Sequence, residues 1–446
     1  MPLPEHADRR AVSDEVHARP YPLMRAPEQA SHLAILSGED AAEDHALLAR
    51  LCTLVGHPPP PPGVNHYAFE FDGTGQGAVR LRWERHTEFS TYTFFRPLAG
   101  DDPFAEPAIR AVPEAWVAGL PPSLLVAVHA ALIPAPAGWR GAELPPEIGR
   151  HFASDNVAGS LVAGGTGAAW TDFVIRDDGF SRILVMDLGL RARQAGRLVQ
   201  RLLEIETYRT MALLALPLAR EIAPQVTRID RTLTAASGRI AGLADIEDER
   251  ALLDTLMDHA AEIERLVNGS SYRFGAARAY YALVDRRVDE LREARIEGLQ
   301  TIREFMDRRL APAMRTCESA AGRLEALAQR VARASNLLRT RVDIELEAQN
   351  RDVLMSMNRR AQLQLRLQET VEGLSVVAIS YYAVGLVGYA AKAAHAGGLP
   401  VDTELITGLA IPVVLGGVWL MVRRIRRRLI RRAGDGDRDD AAGIAG

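Results

Sequence analysis

This 446-residue sequence predicts an α+β fold in three parts: an N-terminal α/β domain, a long antiparallel helical bundle and stalk, and a C-terminal two-helix transmembrane hairpin. Three observations predict it. The first half holds short β-branched and aromatic runs bounded by Gly, Pro and Asp. Residues 313–399 contain no proline and repeat apolar residues near a spacing of seven. Two charge-free apolar runs of eighteen residues follow, 374–391 and 405–422, and the second leads into seven arginines within ten residues.

Residues 1–30 read as an extended, proline-stiffened segment, with His17 and Arg19 in DEVHARPYP as a lesser ligand candidate. It lacks the basic start and apolar block of a signal peptide, so the N-terminus is expected in the cytosol. The α/β domain, 31–217, has strands at SHLAIL, HYAFEF, AVRLRW, EFSTYTFF, SLLVAVHAALI, AWTDFVI and RILVMDL, with helices at 39–54, 108–118 and 191–216. HPPPPPG is a stiff connector, and GTGQG and AGGTGAA are turns, since neither has the Gly-Lys-Ser/Thr ending of a phosphate loop.

The bundle and stalk, 218–373, are expected as helices at 251–267 and 276–310 joined by NGSSYRFG, with Pro312 opening the next helix. That helix carries a seam through Leu324, Ala328, Val331, Leu338, Val342, Val353, Leu367, Val371 and Leu374. Each apolar run lies at the lower end of the ~17–25 residues a membrane helix needs. Arg423, Arg424, Arg426, Arg427, Arg428, Arg431 and Arg432 place the tail, 423–446, in the cytosol by the positive-inside rule. The loop 392–404 then faces the other side, and both termini are cytosolic.

The net charge of −4 argues against nucleic acid as a partner. The two cysteines exclude a disulfide framework or a Cys-x-x-Cys zinc site. In WERHTEFSTYTFF, strand alternation would set Glu84, His86 and Glu88 on one face, a set able to hold a divalent ion; a solvated polar edge gives the same pattern. Glu204, Tyr208 and Met211 share a helix face, where acids beside arginines read as solvated ion pairs. No catalytic motif is present, so no enzyme is expected and no cofactor is indicated.

The segments DEVHARPYP, SHLAIL, WERHTEFSTYTFF, RLLEIETYRTMALLALP, SSYRFGAARAYY and VEGLSVVAISYYAVGLVGYAAKA resemble those of the bacterial domain-of-unknown-function family 3422. Its members are described as predicted membrane-anchored proteins, which implies a location in the bacterial inner membrane and supplies no activity. The order of parts also resembles CorA-type magnesium channels, implying a CorA-like architecture and a homo-oligomer. The Gly-Met-Asn motif of that family is missing; the matching stretch reads GYAAKAAHAGG, with Lys392 at the outer mouth.

Two functions follow. In one, a CorA-like oligomer passes ions or small solutes along a first membrane helix whose polar stripe is Ser375, Ser380, Tyr381 and Tyr382 and whose close-packing positions are Gly385 and Gly388. In the other, the hairpin is a lipid-embedded anchor for a scaffold or sensor.

Overall fold

The computed structural model describes residues 6–10, 13, 21–37, 41–75, 77–139, 145–240, 246–397 and 402–442, with backbone alone at 146–147, 236–240, 246 and beyond 424. His17 and Arg19 lie outside the described residues. The chain divides into two compact units, Met1–Leu338 and Arg339–Gly446.

The first unit is built on a nine-stranded sheet. Its strands are β1 (Glu28–Leu36), β2 (His66–Gly73), β3 (Gly77–Arg85), β4 (Phe89–Pro97), β5 (Leu124–Pro134), β6 (Ala158–Val162), β7 (Gly167–Thr171), β8 (Ser181–Asp187) and β9 (Ala294–Arg295), in the order β2-β3-β4-β1-β5-β8-β7-β6-β9. Only the β5–β8 pairing among these is parallel. Every residue of β4 but Pro97 is buried, because both faces of the sheet are covered. On one face α1 (Ala41–Leu54) and Trp116 seal Leu33, Ile35, Leu81, Trp83 and Phe94. On the other, Ala30, Ala34 and Phe95 pack with α2 (Ala192–Leu213), whose apolar positions recur three and four apart.

AWTDFVI ends as a strand at Thr171, and Phe173 takes a left-handed backbone, φ 57°. β6 was not foreseen from the sequence. It is short and contains Gly159, where a Cβ would fall 2.2 Å from Trp170 Cδ1; the bare backbone makes room for that buried indole.

The bundle continues with α3 (Ala215–Ile240), α4 (Ile246–Leu291) and α5 (Ile302–Ala396). Cross-helix pairs fix the directions. Arg201 meets Glu290, Arg287 meets Glu204, and Arg228 meets Glu262, so α2 and α3 run antiparallel to α4. Arg323 and Arg330 reach Thr227 and Asp230, setting the start of α5 parallel to α3. Leu256, Ile263, Val284, Leu310, Leu324 and Val331 fill the seam.

Two helix boundaries differ from expectation. NGSSYRFG is helical within α4: the Ser270 hydroxyl donates to the Leu266 carbonyl, Phe274 is buried, and Arg273 and Tyr272 bind Glu88 of the sheet. These contacts outweigh the helix penalty of Gly269 and Gly275, about 1 kcal/mol each. The next helix opens not at Pro312 but at a capping box: Glu304 N–H donates to Thr301 Oγ1, and Thr301 N–H to Glu304 Oε2 (3.1 and 3.0 Å).

In the second unit, α5 and α6 (Thr403–Ala442) each contain a stretch long and apolar enough to cross a membrane. Large side chains there are bare: Leu374, Leu386, Val413 and Leu420 are each more than half exposed.

Candidate functional site

The sheet face toward α2 should be apolar, yet one row across it is polar. Arg82 on β3 stands beside Thr93 on β4, and Thr93 beside His32 on β1. Above this row α2 presents Gln200, Glu204, Thr207 and Tyr208, spaced to lie on one helix face. Between them is a small cavity of about 30 Å³, with Pro22 and His86 completing the wall. That is room for a water or two, or a solute of a few heavy atoms. Pro22 reaches it because α2 has glycine at position 196: a Cβ there would sit 1.7 Å from the Pro22 carbonyl oxygen.

The hydrogen bonds fix the imidazole's tautomer. Thr207 spends its hydroxyl proton on the Leu203 carbonyl (2.9 Å), so toward His32 it can only accept. His32 Nε2–H therefore donates to Thr207 Oγ1 (3.1 Å), and Thr93 donates to Nδ1 (2.8 Å). Burial, then the nearby His86 and Arg82, pull the His32 pKa down to about 3, so the ring is neutral at physiological pH.

Charge in the site is compensated along a chain. Arg82 Nη2 donates to Glu84 (2.7 Å) and Nη1 to Gln200 Oε1 (2.6 Å). Gln200 donates onward to Glu204 (2.7 Å), which binds Arg287 of α4; Arg287 and Arg201 share Glu290. Burial opposes the charged form of Arg287, but Glu204 and Glu290 raise its pKa above the usual value. Within this chain of contacts, Arg82 Nε is buried without a partner. A wider cleft of about 360 Å³, bordered by Asn65, Arg85, Thr87 and Tyr280, shares His86, Phe89 and Tyr208 with the cavity.

Of the sequence candidates, Glu84 and His86 line this cavity and Glu88 does not. β3 ends at Arg85, where alternation stops, and His86 N–H donates to the Phe89 carbonyl to close the turn. Glu88 is buried against α4, held by Arg273 and Tyr272. Among the described residues no group of three or more His, Cys, Asp or Glu is placed to hold a metal ion. Glu204 and Tyr208 are not on a solvated face: sheet and α4 enclose them, and Met211 is fully buried. His32, Thr93, Gln200 and Thr207 were missed. A histidine inside the strand SHLAIL was their one visible signal.

In the second unit the polar stripe divides. Ser375 donates to its own helix at Val371, as Thr407 does at Thr403. Ser380 is buried, while Tyr381 and Tyr382 are exposed with rings 5.8 Å apart. Gly388 lies against Thr407, which a Cβ would meet at 3.6 Å; Gly385 has open space and Lys392 is exposed. Arg423 stacks over Trp419 and Arg424 is exposed. The side chains of Arg426, Arg427, Arg428, Arg431 and Arg432 lie outside the described residues.

Comparison with curated proteins and with solved structures finds no match to the chain. A family model matches residues 4–429, nearly the full length, and the chain therefore belongs to the family described as protein of unknown function (DUF3422).

Proposed function

We propose that this is a two-pass, membrane-anchored ligand sensor. The hairpin holds it in the bacterial inner membrane, with both termini cytosolic as the arginines after Val422 favour. The cavity between sheet and α2 receives a small uncharged solute, and its arrival reaches α4 through Gln200, Glu204 and Arg287. The reading is for binding, not catalysis.

The observation that carries it is a small cavity walled by polar side chains, among them Arg82, whose Nη atoms are both engaged and whose Nε is buried without a partner. An uncharged solute fits because each charge in the wall already has an internal partner, and a further charge would be desolvated without compensation. The test is thermal unfolding of the full chain in nanodiscs with urea, acetamide and glycerol. At least one should raise the midpoint and slow deuterium exchange near residues 280–291, and Gln200→Leu should remove both effects. No response to any of them, or a response that Gln200→Leu leaves intact, contradicts the reading.

A second reading is a CorA-like homo-oligomer that conducts ions or small solutes. It is favoured by the exposed rings of Tyr381, Tyr382 and Tyr389, which offer polar groups on an otherwise apolar helix.

A further inference from the structure

We infer that the first unit carries a second binding site, separate from the cavity above, for a phosphate group. Where the start of α2 meets the end of α4 there is a cleft of about 520 Å³, lined by Arg197 and Arg201 of α2 and by Arg286, Asp289, Glu290 and Arg292. Four guanidinium groups thus face two carboxylates.

The pairing within the cleft shows which charge is left over. Glu290 is occupied by Arg201 and Arg287, with Arg286 3.5 Å away. Asp289 is bound from outside the cleft by Arg303. Among the described residues, no carboxylate lies within ion-pair distance of Arg197 or Arg292. Arg197 is held over the ring of Tyr21, 5.4 Å from its centroid, which orients the guanidinium without neutralising it. Two planar, uncompensated cations at one cleft match a dianion, and the guanidinium fork matches phosphate oxygens.

The backbone gives an independent indication. Arg292 follows the last residue of α4 with φ 52°, the left-handed position that ends many helices and ordinarily holds glycine. Glycine would adopt this backbone with less strain, and arginine here sets its charge at the cleft. The Ala163 N–H donates to the Leu291 carbonyl (2.8 Å), tying this end of α4, next to Arg292, to the β6–β7 turn. Ala163, itself left-handed at φ 55°, lines the same cleft.

The ligand is a phosphate monoester or pyrophosphate, dianionic near neutral pH, free in solution or on a lipid headgroup. Two arms separate these sources. In the first, the full chain in phosphatidylcholine nanodiscs is titrated calorimetrically with pyrophosphate and glycerol 3-phosphate, with acetate as a monoanion control. In the second, the same nanodiscs are tested for capture of phosphatidylcholine vesicles with and without phosphatidic acid. Arg292→Gly is the key variant: it relieves the left-handed strain, so its unfolding midpoint should equal or exceed the parent's. Binding in either arm, weakened tenfold or more by Arg292→Gly and again by Arg197→Gln, supports the site, and the responding arm names the source. No binding in either arm, binding unchanged in both variants, or acetate binding as tightly overturns it.

Discussion

Two stretches of one helix carry the same apolar seam and end in opposite surroundings. In the first stretch of α5, Leu310, Leu324, Leu327, Val331 and Leu338 are buried; further on, Val353, Leu367, Val371 and Leu374 are each more than half exposed. Spacing alone does not bury a residue. The first stretch has α3 and α4 beside it, and Arg323 and Arg330 bind Thr227 and Asp230 to hold the register. Past residue 373 the charges stop, and the same leucines and valines suit hydrocarbon as well as a core.

The largest effect that could break this contrast is removal of the hairpin. A chain ending at residue 373 should leave the membrane fraction on carbonate extraction, while the full chain stays in the pellet. Retention of the shortened chain would show that the first unit binds membrane on its own.

Next in size is the buried pairing. Arg82→Met strands Glu84 and Gln200 and should cost about 3 kcal/mol in denaturant unfolding of the first unit. Adding Glu84→Gln should recover part of that loss. A double-variant loss equal to the sum of the two single-variant losses would mean the pair is not coupled.

His32 gives a smaller, pH-dependent signature. Its folded pKa of about 3 is below the ordinary 6.5, so the unfolded chain binds the extra proton between those values. Stability is then full above pH 6.5 and falls as pH drops toward 3, by about 1.4 kcal/mol per unit at most. His129, buried and lowered to about 4, adds a slope of the same sign. The readout is therefore a difference: between pH 6.5 and 5 the parent should lose about 1.6 kcal/mol more than His32→Gln. Parallel curves would show that His32 is not held neutral.

Thr301→Ala removes the cap that opens α5 and should cost about 1 kcal/mol. Leu365→Ala, at a side chain more than half exposed, should change the first unit's unfolding by less than about 0.5 kcal/mol. A larger loss that depends on protein concentration would instead reveal a second copy covering the seam, and would strengthen the conduction reading. That reading also predicts ion flux in proteoliposomes, increased by Lys392→Asn; the sensor reading predicts none above empty liposomes.

The elements most legible in the sequence were those whose cause is local. β1 to β5 and β8 follow from short apolar runs between turn residues, and the two apolar helical stretches from two uncharged runs. NGSSYRFG was misread because its glycines and serines suit a turn, while Glu88, the residue that holds it helical, lies far away in the chain. The cavity was the least legible part. His32, Arg82, Thr93, Gln200 and Arg287 come from five elements of the sheet and bundle, and none has a neighbour in sequence that announces it. Glu84 and His86 stood out as metal candidates because an imidazole and a carboxylate two apart are visible locally; the structure sets both at the cavity wall and turns Glu88 toward α4.

The most direct test of the contrast is a single-cysteine scan along α5 in proteoliposomes, with the buried Cys52 and Cys317 replaced by alanine. Cysteines at Leu354, Leu363 and Leu367 should react with a membrane-impermeant maleimide, whereas those at Val377, Ile379 and Leu386 should be silent to it and quenched by a lipid-confined nitroxide. Equal maleimide reactivity along both stretches, without nitroxide contact beyond residue 374, would contradict the membrane anchor on which the account rests.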